Sequence, residues 1–133
     1  MSSKVVITGA NGMVGSSLVR RLAGRFELVL VDVATDRIEC FKGSTRIVRG
    51  SCLRIDEWQS VLEGADCVIH LAAIVHQASR TSDEMDRFIA INAEATRRLY
   101  EACLRHGVRR FLFFSTNDVY GPSDELITEE TAP

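Results

Sequence analysis

The sequence has no Cys-x-x-Cys spacing, no paired histidines, no internal repeat and no low-complexity tract. Its four cysteines, Cys40, Cys52, Cys67 and Cys103, are scattered. They read as reduced core residues of a cytoplasmic protein, which excludes a disulfide framework and a zinc site and leaves no metal expected. No apolar run is long enough to span a bilayer, and the opening "MSSKVVITG" is too short for a signal peptide. A formal net charge of −2 supplies no general attraction for nucleic acid or for an anionic membrane. What remains is an ordinary balance, with 46% hydrophobic and 26% charged residues in 133. One domain of that length buries roughly two-thirds of its unfolded surface around a core.

Apolar runs alternate with helical patterns. "VVI" (Val5–Ile7) predicts a first strand, and Val14, Leu18 and Leu22 form the stripe of a helix over Met13–Ala23, stopped by Gly24. "ELVLVD" (Glu27–Asp32) is a second strand and "RIV" (Arg46–Val48) a short third. "IDEWQSVLEG" predicts a helix ended by Gly64, and "CVIHLAA" (Cys67–Ala73) a fourth strand. A long helix is expected over Asp83–His106, ended by Gly107, and "RFLFFS" (Arg110–Ser115) is the fifth strand. Strands that are apolar throughout and separated by helices imply a parallel sheet covered on both faces. The expectation is a doubly wound α/β fold in three layers, with strand order 3-2-1-4-5.

"TGANGMVG" (Thr8–Gly15) lies between the first strand and the first helix. Gly9 permits a tight turn, Gly12 removes a side chain that would block phosphates, and Gly15 lets the helix approach the strand. The helix N-terminus then offers N–H groups and partial positive charge to a diphosphate. Asp32 ends the second strand, where a carboxylate accepts hydrogen bonds from the hydroxyls of an adenosine ribose. The same carboxylate repels a 2′-phosphate, so NAD is favoured over NADP, although Arg37 lies close by in sequence. Asn92 sits on the apolar stripe of the long helix, and a buried amide must find partners, such as neighbouring backbone.

Thr8–Gly15, "HLAA" at His70–Ala73, Asn92 and "STNDVYG" at Ser115–Gly121 follow one another in this order along the chain. With them the sequence resembles the extended short-chain dehydrogenase/reductase family. Within it, the NAD-dependent nucleotide-sugar epimerases and dehydratases are most similar. The resemblance implies a Rossmann fold with NAD as cofactor. It implies that Gly9, Gly12, Met13, Val14 and Gly15 line the diphosphate, and that Asp32 holds the ribose. It places Ser51 and Cys52 beside the adenine, and Leu71, Ala72, Ala73 and Val75 beneath the nicotinamide half. Asn92 would fix backbone and cofactor there, and His70 reads as structural. Thr116 would hold the sugar oxygen that exchanges a proton during hydride transfer. The motif also resembles the "STDEVYG" of sugar 4,6-dehydratases, with Asn117 and Asp118 where the acidic pair stands. An amide cannot serve as the acid, which leaves Asp118 as the candidate.

The family's catalytic Tyr-x-x-x-Lys pair is not found: Tyr100 is followed four residues later by Leu104, and Tyr120 by Asp124. The 133 residues are therefore expected to be the cofactor-binding part of a longer enzyme, lacking the Tyr/Lys helix and the substrate lobe and inactive alone. The substrate class implied is a nucleotide sugar, transiently oxidised. Epimerisation, dehydration and simple reduction all stay open, as does a non-catalytic NAD(P) sensor or scaffold. A homodimer is expected, through the long helix or the edge of the fifth strand.

Overall fold

A computed structural model describes residues 2–41, 45–75, 81–122 and 126–131, with the side chains of Asn117 and Asp118 outside that description. Five strands, β1 (Lys4–Thr8), β2 (Glu27–Asp32), β3 (Thr45–Arg49), β4 (Cys67–His70) and β5 (Arg110–Phe113), form one sheet. All pairings are parallel and the order is β3-β2-β1-β4-β5, as expected.

The strand residues divide by alternation. Val6, Val29, Val31 and Val68 point to one face, and Val5, Ile7, Leu28, Leu30 and Ile69 to the other. Helix α1 (Met13–Leu22) covers the second face, burying Val19. Helix α3 (Ala95–Arg105) covers the first with Ala95, Leu99, Ala102 and Cys103. It ends at Gly107 (φ 69°), where Val108 N–H bonds the Cys103 carbonyl at 3.0 Å and Gly107 N–H that of Leu104 at 3.2 Å. That paired arrangement satisfies carbonyls the helix leaves open and needs the left-handed residue that glycine supplies.

Two helices differ from expectation. "IDEWQSVLEG" does not form an α-helix: a 3₁₀ stretch Cys52–Glu57, itself kinked at Arg54 (φ −121°, ψ 49°), and a second, Gln59–Leu62, meet at Trp58, whose φ is −135°. The second break lies at the tryptophan, which is tied to the residues before the segment. Its indole N–H bonds the Ser51 carbonyl at 2.9 Å, and a Cβ on Gly50 would stand 2.7 Å from its ring. Anchoring Trp58 to the residues just before the segment demands a tighter turn than the α-helix allows.

The second difference lies in the long helix. α2 (Ser82–Ile89) is joined to α3 by a π turn, Ala90–Glu94. α2 begins with a reciprocal cap, in which Glu84 N–H bonds the Thr81 hydroxyl and Thr81 N–H the Glu84 carboxylate. The π turn falls where Asn92 is held by the backbone of Ile74, so the wider turn and that anchor coincide.

β4 and β5 also end earlier than their apolar runs. After His70 the chain turns back over β1, with Leu71 N–H bonding the Thr8 carbonyl at 3.1 Å, so Leu71–Ala73 is not strand. β5 is an edge strand: Leu112, Phe113 and the following Phe114 are 44%, 52% and 53% exposed, so the run leaves the ladder at Phe113 without a core to hold it.

Candidate functional site

Parallel strands deliver their carboxyl ends to one edge of the sheet, and register aligns them. Thr8 pairs with Val31 on one side and His70 on the other, and His70 pairs with Phe113. The connection after β1 runs to β2 on one side and the connection after β4 runs to β5 on the other, which leaves a crevice above the centre of the sheet. A cleft of about 440 Å³ occupies it, lined among others by Gly9, Asn11, Gly12, Asp32, Cys52 and Ala72. That volume suits a ligand pocket.

The glycine turn forms one wall. Gly9 has φ 69°, and a Cβ there would stand 2.5 Å from Ala72 N, so the turn is pressed on the segment after β4. A Cβ on Gly15 would stand 2.2 Å from the Gly9 carbonyl oxygen. Gly12 is different. Its φ of −66° and ψ of 174° suit any residue, and a Cβ would meet only the Gly9 oxygen, at 3.2 Å. Gly12 caps α1 with no side-chain bond, so the N–H groups of Met13, Val14 and Gly15 have no acceptor inside the helix. Met13 and Val14 are exposed and Gly15 is buried beneath the turn. These three stand at the helix start beside the cleft and do not line it.

Asp32 lies in the cleft, its Oδ2 accepting from Asn11 N–H at 2.9 Å and its Oδ1 from Ala34 N–H at 3.1 Å. Ser51 and Cys52 line the same end, with Ser51 Oγ accepting from Leu53 N–H at 3.2 Å. Burial pushes the Cys52 thiol up to about 11, and the Asp32 charge adds to this. Cys52 is thus a neutral apolar wall, not a nucleophile.

Leu71, Ala72 and Ala73 line the other wall, and Val75 is 88% exposed outside it. Asn92 stands behind that wall, its Oδ1 accepting from Ile74 N–H at 2.9 Å and its Nδ2 donating to the Ile74 carbonyl at 2.8 Å. Both ends of its amide brace the Ile74 backbone. Thr116 is exposed just past the carboxyl end of β5, on the cleft's edge of the sheet. Asp118 lies in the 3₁₀ turn Asn117–Tyr120, and its side chain is outside the described residues.

His70 is structural, as expected, and completely buried. Thr96 Oγ1 donates to the Asn92 carbonyl at 2.9 Å, so it accepts from His70 Nε2–H at 2.8 Å. His70 Nδ1 then carries no proton and accepts from the Thr8 hydroxyl at 2.6 Å. The chain of bonds links β1, β4 and α3 directly under the cleft. Burial lowers the His70 pKa from 6.5 to about 4. The unfolded chain therefore takes up this proton at higher pH than the folded one. Stability is intact above pH 6.5, falls as pH drops towards 4, and levels off below. The full difference is about 3 kcal/mol. Chemical denaturation across this window should show the decline, and in His70→Asn the slope should flatten even if total stability is lower. An unchanged slope would remove His70 as the cause.

Sequence reasoning missed several cleft residues. Asn11, an unassigned letter between the glycines, bonds Asp36 and Arg37 as well as Asp32. Arg87 and Ile91 reach the cleft from α2 and the π turn, a placement that no local pattern encodes. Among the described residues no cluster of three or more His, Cys, Asp or Glu could hold a metal, and no helix is long and apolar enough to cross a membrane.

A glycine turn opening a helix at the switch point of a parallel sheet, with a carboxylate closing the next strand, defines a dinucleotide-binding α/β domain. Residues 5–133 match the NAD dependent epimerase/dehydratase family, and the chain belongs to it. It is 30% identical to the uncharacterized UDP-glucose epimerase YtcB of Bacillus subtilis, over 97% of this chain and 45% of that protein. It is 32% identical to a dTDP-glucose 4,6-dehydratase of Streptomyces griseus, over 100% of this chain and 44% of that one. MoeE5, solved in complex with UDP-glucose and NAD, superposes with a TM-score of 0.82 at 32% identity, covering 98% of this chain and 42% of that one. A short-chain dehydrogenase/reductase protein of Agrobacterium tumefaciens with bound NAD gives 0.80 at 31%, covering 97% and 38%. The chain spans between 36% and 45% of the length of such curated relatives.

Proposed function

We propose that the cleft binds NAD and that this chain is the cofactor-binding part of an enzyme acting on a nucleotide sugar by transient oxidation. The observation that carries the reading is the pairing of the Gly12 turn with Asp32 in one cleft. A Cβ on Gly12 would press the Gly9 carbonyl oxygen at 3.2 Å, far less than the clashes at Gly9 and Gly15, so a ligand approaching the backbone supplies the further demand for a missing side chain. The N–H groups of Met13, Val14 and Gly15 are the donors for its diphosphate. Asp32 receives the ribose hydroxyls and Ser51 and Cys52 flank the adenine. Leu71, Ala72 and Ala73, stiffened by Asn92, support the nicotinamide half. Bound NAD supplies the hydride acceptor. Thr116 holds the sugar oxygen at the end of β5, and Asp118 is the nearest acid in sequence.

Calorimetry tests the assignment. A charge-assisted hydrogen bond contributes about 1.5–3 kcal/mol, so Asp32→Ala should weaken NAD roughly ten- to a hundredfold. NADP binding as tightly as NAD to the original protein would reject it.

The sugar's proton acceptor is proposed to be a Tyr-x-x-x-Lys pair outside these 133 residues, together with a substrate lobe. Relatives more than twice as long support this. So does a second hollow of about 490 Å³ on the α1 face of β4 and β5, lined by Val5, Leu22, Phe26, Ile69 and Leu112. A further helix of a doubly wound sheet would pack there. The exposed β5 edge also supports self-association. A strictly monomeric mass by light scattering at high concentration would refute that. Similarity to an epimerase, a dehydratase and a D-erythronate dehydrogenase of Haemophilus influenzae keeps epimerisation, dehydration and simple reduction all open as the final reaction.

A further inference from the structure

Asn11 joins three elements at the ribose end of the cleft. Its backbone N–H bonds Asp32 Oδ2 at 2.9 Å, its Nδ2 donates to Asp36 Oδ1 at 2.9 Å, and its Oδ1 accepts from Arg37 N–H at 2.8 Å. One residue of the glycine turn therefore fixes the position of two carboxylates and occupies a backbone donor on the segment after β2. Asp36 and Arg37 are exposed, and Ile38, fully buried, anchors the segment below them.

We propose that Asn11 and Asp36 form a second selectivity element, acting with Asp32 to exclude a cofactor that carries a 2′-phosphate on its adenosine ribose. The inference rests on the reading of this cleft as a dinucleotide site and extends it to residues that need not touch NAD. A 2′-phosphate on a ribose held by Asp32 would face the segment after β2, which Asn11 ties to the glycine turn. Such a group carries up to two negative charges and looks for cations and N–H donors. Arg37 and its backbone N–H would be natural partners. Asn11 takes the N–H, and the bond to Asp36 brings a negative charge to the rim beside the arginine. Both carboxylates bond to the same asparagine, which keeps them within about one Debye length (~10 Å) of each other, so their repulsion of a phosphate adds. Asn11 is a positioning residue here, and Asp36 acts through its charge.

The test uses the protein as made from its natural gene, with NAD and NADP affinities measured side by side. Asp36→Asn keeps an oxygen for Asn11 and removes only the charge. It should lower the NAD-over-NADP affinity ratio about five- to tenfold. Asn11→Ala should lower the same ratio by a similar factor by releasing Asp36 and the Arg37 N–H. In the original protein the ratio should shrink as salt is raised, and Asp36→Asn should blunt that dependence, a response that a purely structural role would not produce. A thermal melt of each variant accompanies the titrations. Asp36→Asn binding with an unchanged ratio and unchanged salt dependence would overturn the inference while leaving the NAD reading intact. Failure of the original protein to bind either dinucleotide would overturn both.

Discussion

Gly15→Ala is expected to cost roughly 3–5 kcal/mol of stability and to abolish NAD binding, whereas Gly12→Ala should lose binding with a much smaller change in stability. The Cβ of an alanine at Gly15 would stand 2.2 Å from the Gly9 carbonyl oxygen and 2.8 Å from both Ala10 Cα and Ala10 O. All three are backbone atoms of the turn, and none can swing aside as a side chain would. Overpacking usually costs about 1–3 kcal/mol, and a clash with fixed backbone belongs at or above the top of that range. For a chain of this size the melting temperature should fall by roughly 10–15 °C. Relief requires α1 to retreat, which moves the N–H groups at its start away from the cleft. At Gly12 the nearest atom is 3.2 Å away and the backbone is ordinary. A methyl group there asks the Gly9 oxygen to give slightly, and otherwise it meets the ligand. Melting curves and NAD titrations of the two variants separate the roles. Equal losses of stability in both would undo this division of labour between the glycines.

The second large effect is on turnover. In the natural protein supplied with a nucleotide sugar, Thr116→Ala should lower kcat by about 10²–10³, the usual loss when one oriented donor to a developing charge is removed. Thr116→Ser should recover most of it, since the hydroxyl returns without the methyl. Thr116 leaves the end of β5 on the same edge as the cleft, and its neighbour strand ends at His70, locked by Thr8 and Thr96. That bracing is what would hold a hydroxyl in place on an otherwise exposed edge. A Thr116→Ala enzyme within about threefold of the original would place the oxygen's donor elsewhere.

Much of this was legible from residue order. The apolar runs separated by helical stripes determined the parallel doubly wound sheet, because a strand buried on both faces has no reason to alternate polar and apolar residues. Gly9, Gly12 and Gly15 with Asp32 could be read because their spacing meets a local demand, a strand turning into a helix beside an anion. Gly107 was readable as a helix end for the same reason.

Tertiary structure decided what depends on partners distant in sequence. "IDEWQSVLEG" has helical periodicity, yet Trp58 bonding back to Ser51 and packing on Gly50 overrides it. The long helix contains a π turn where Asn92 engages Ile74, 18 residues earlier in the chain. His70 became a buried, neutral link only when β1 and α3 brought Thr8 and Thr96 to its two nitrogens. Asn11 is the plainest case. In sequence it is a filler between glycines, because its bonds to Asp32, Asp36 and Arg37 cross 21 to 26 residues and exist only once β2 lies beside β1. Periodicity and turn chemistry act through neighbours in the chain, and a sequence records them. Hydrogen-bond partners across a sheet are set by register, which forms only when the strands meet.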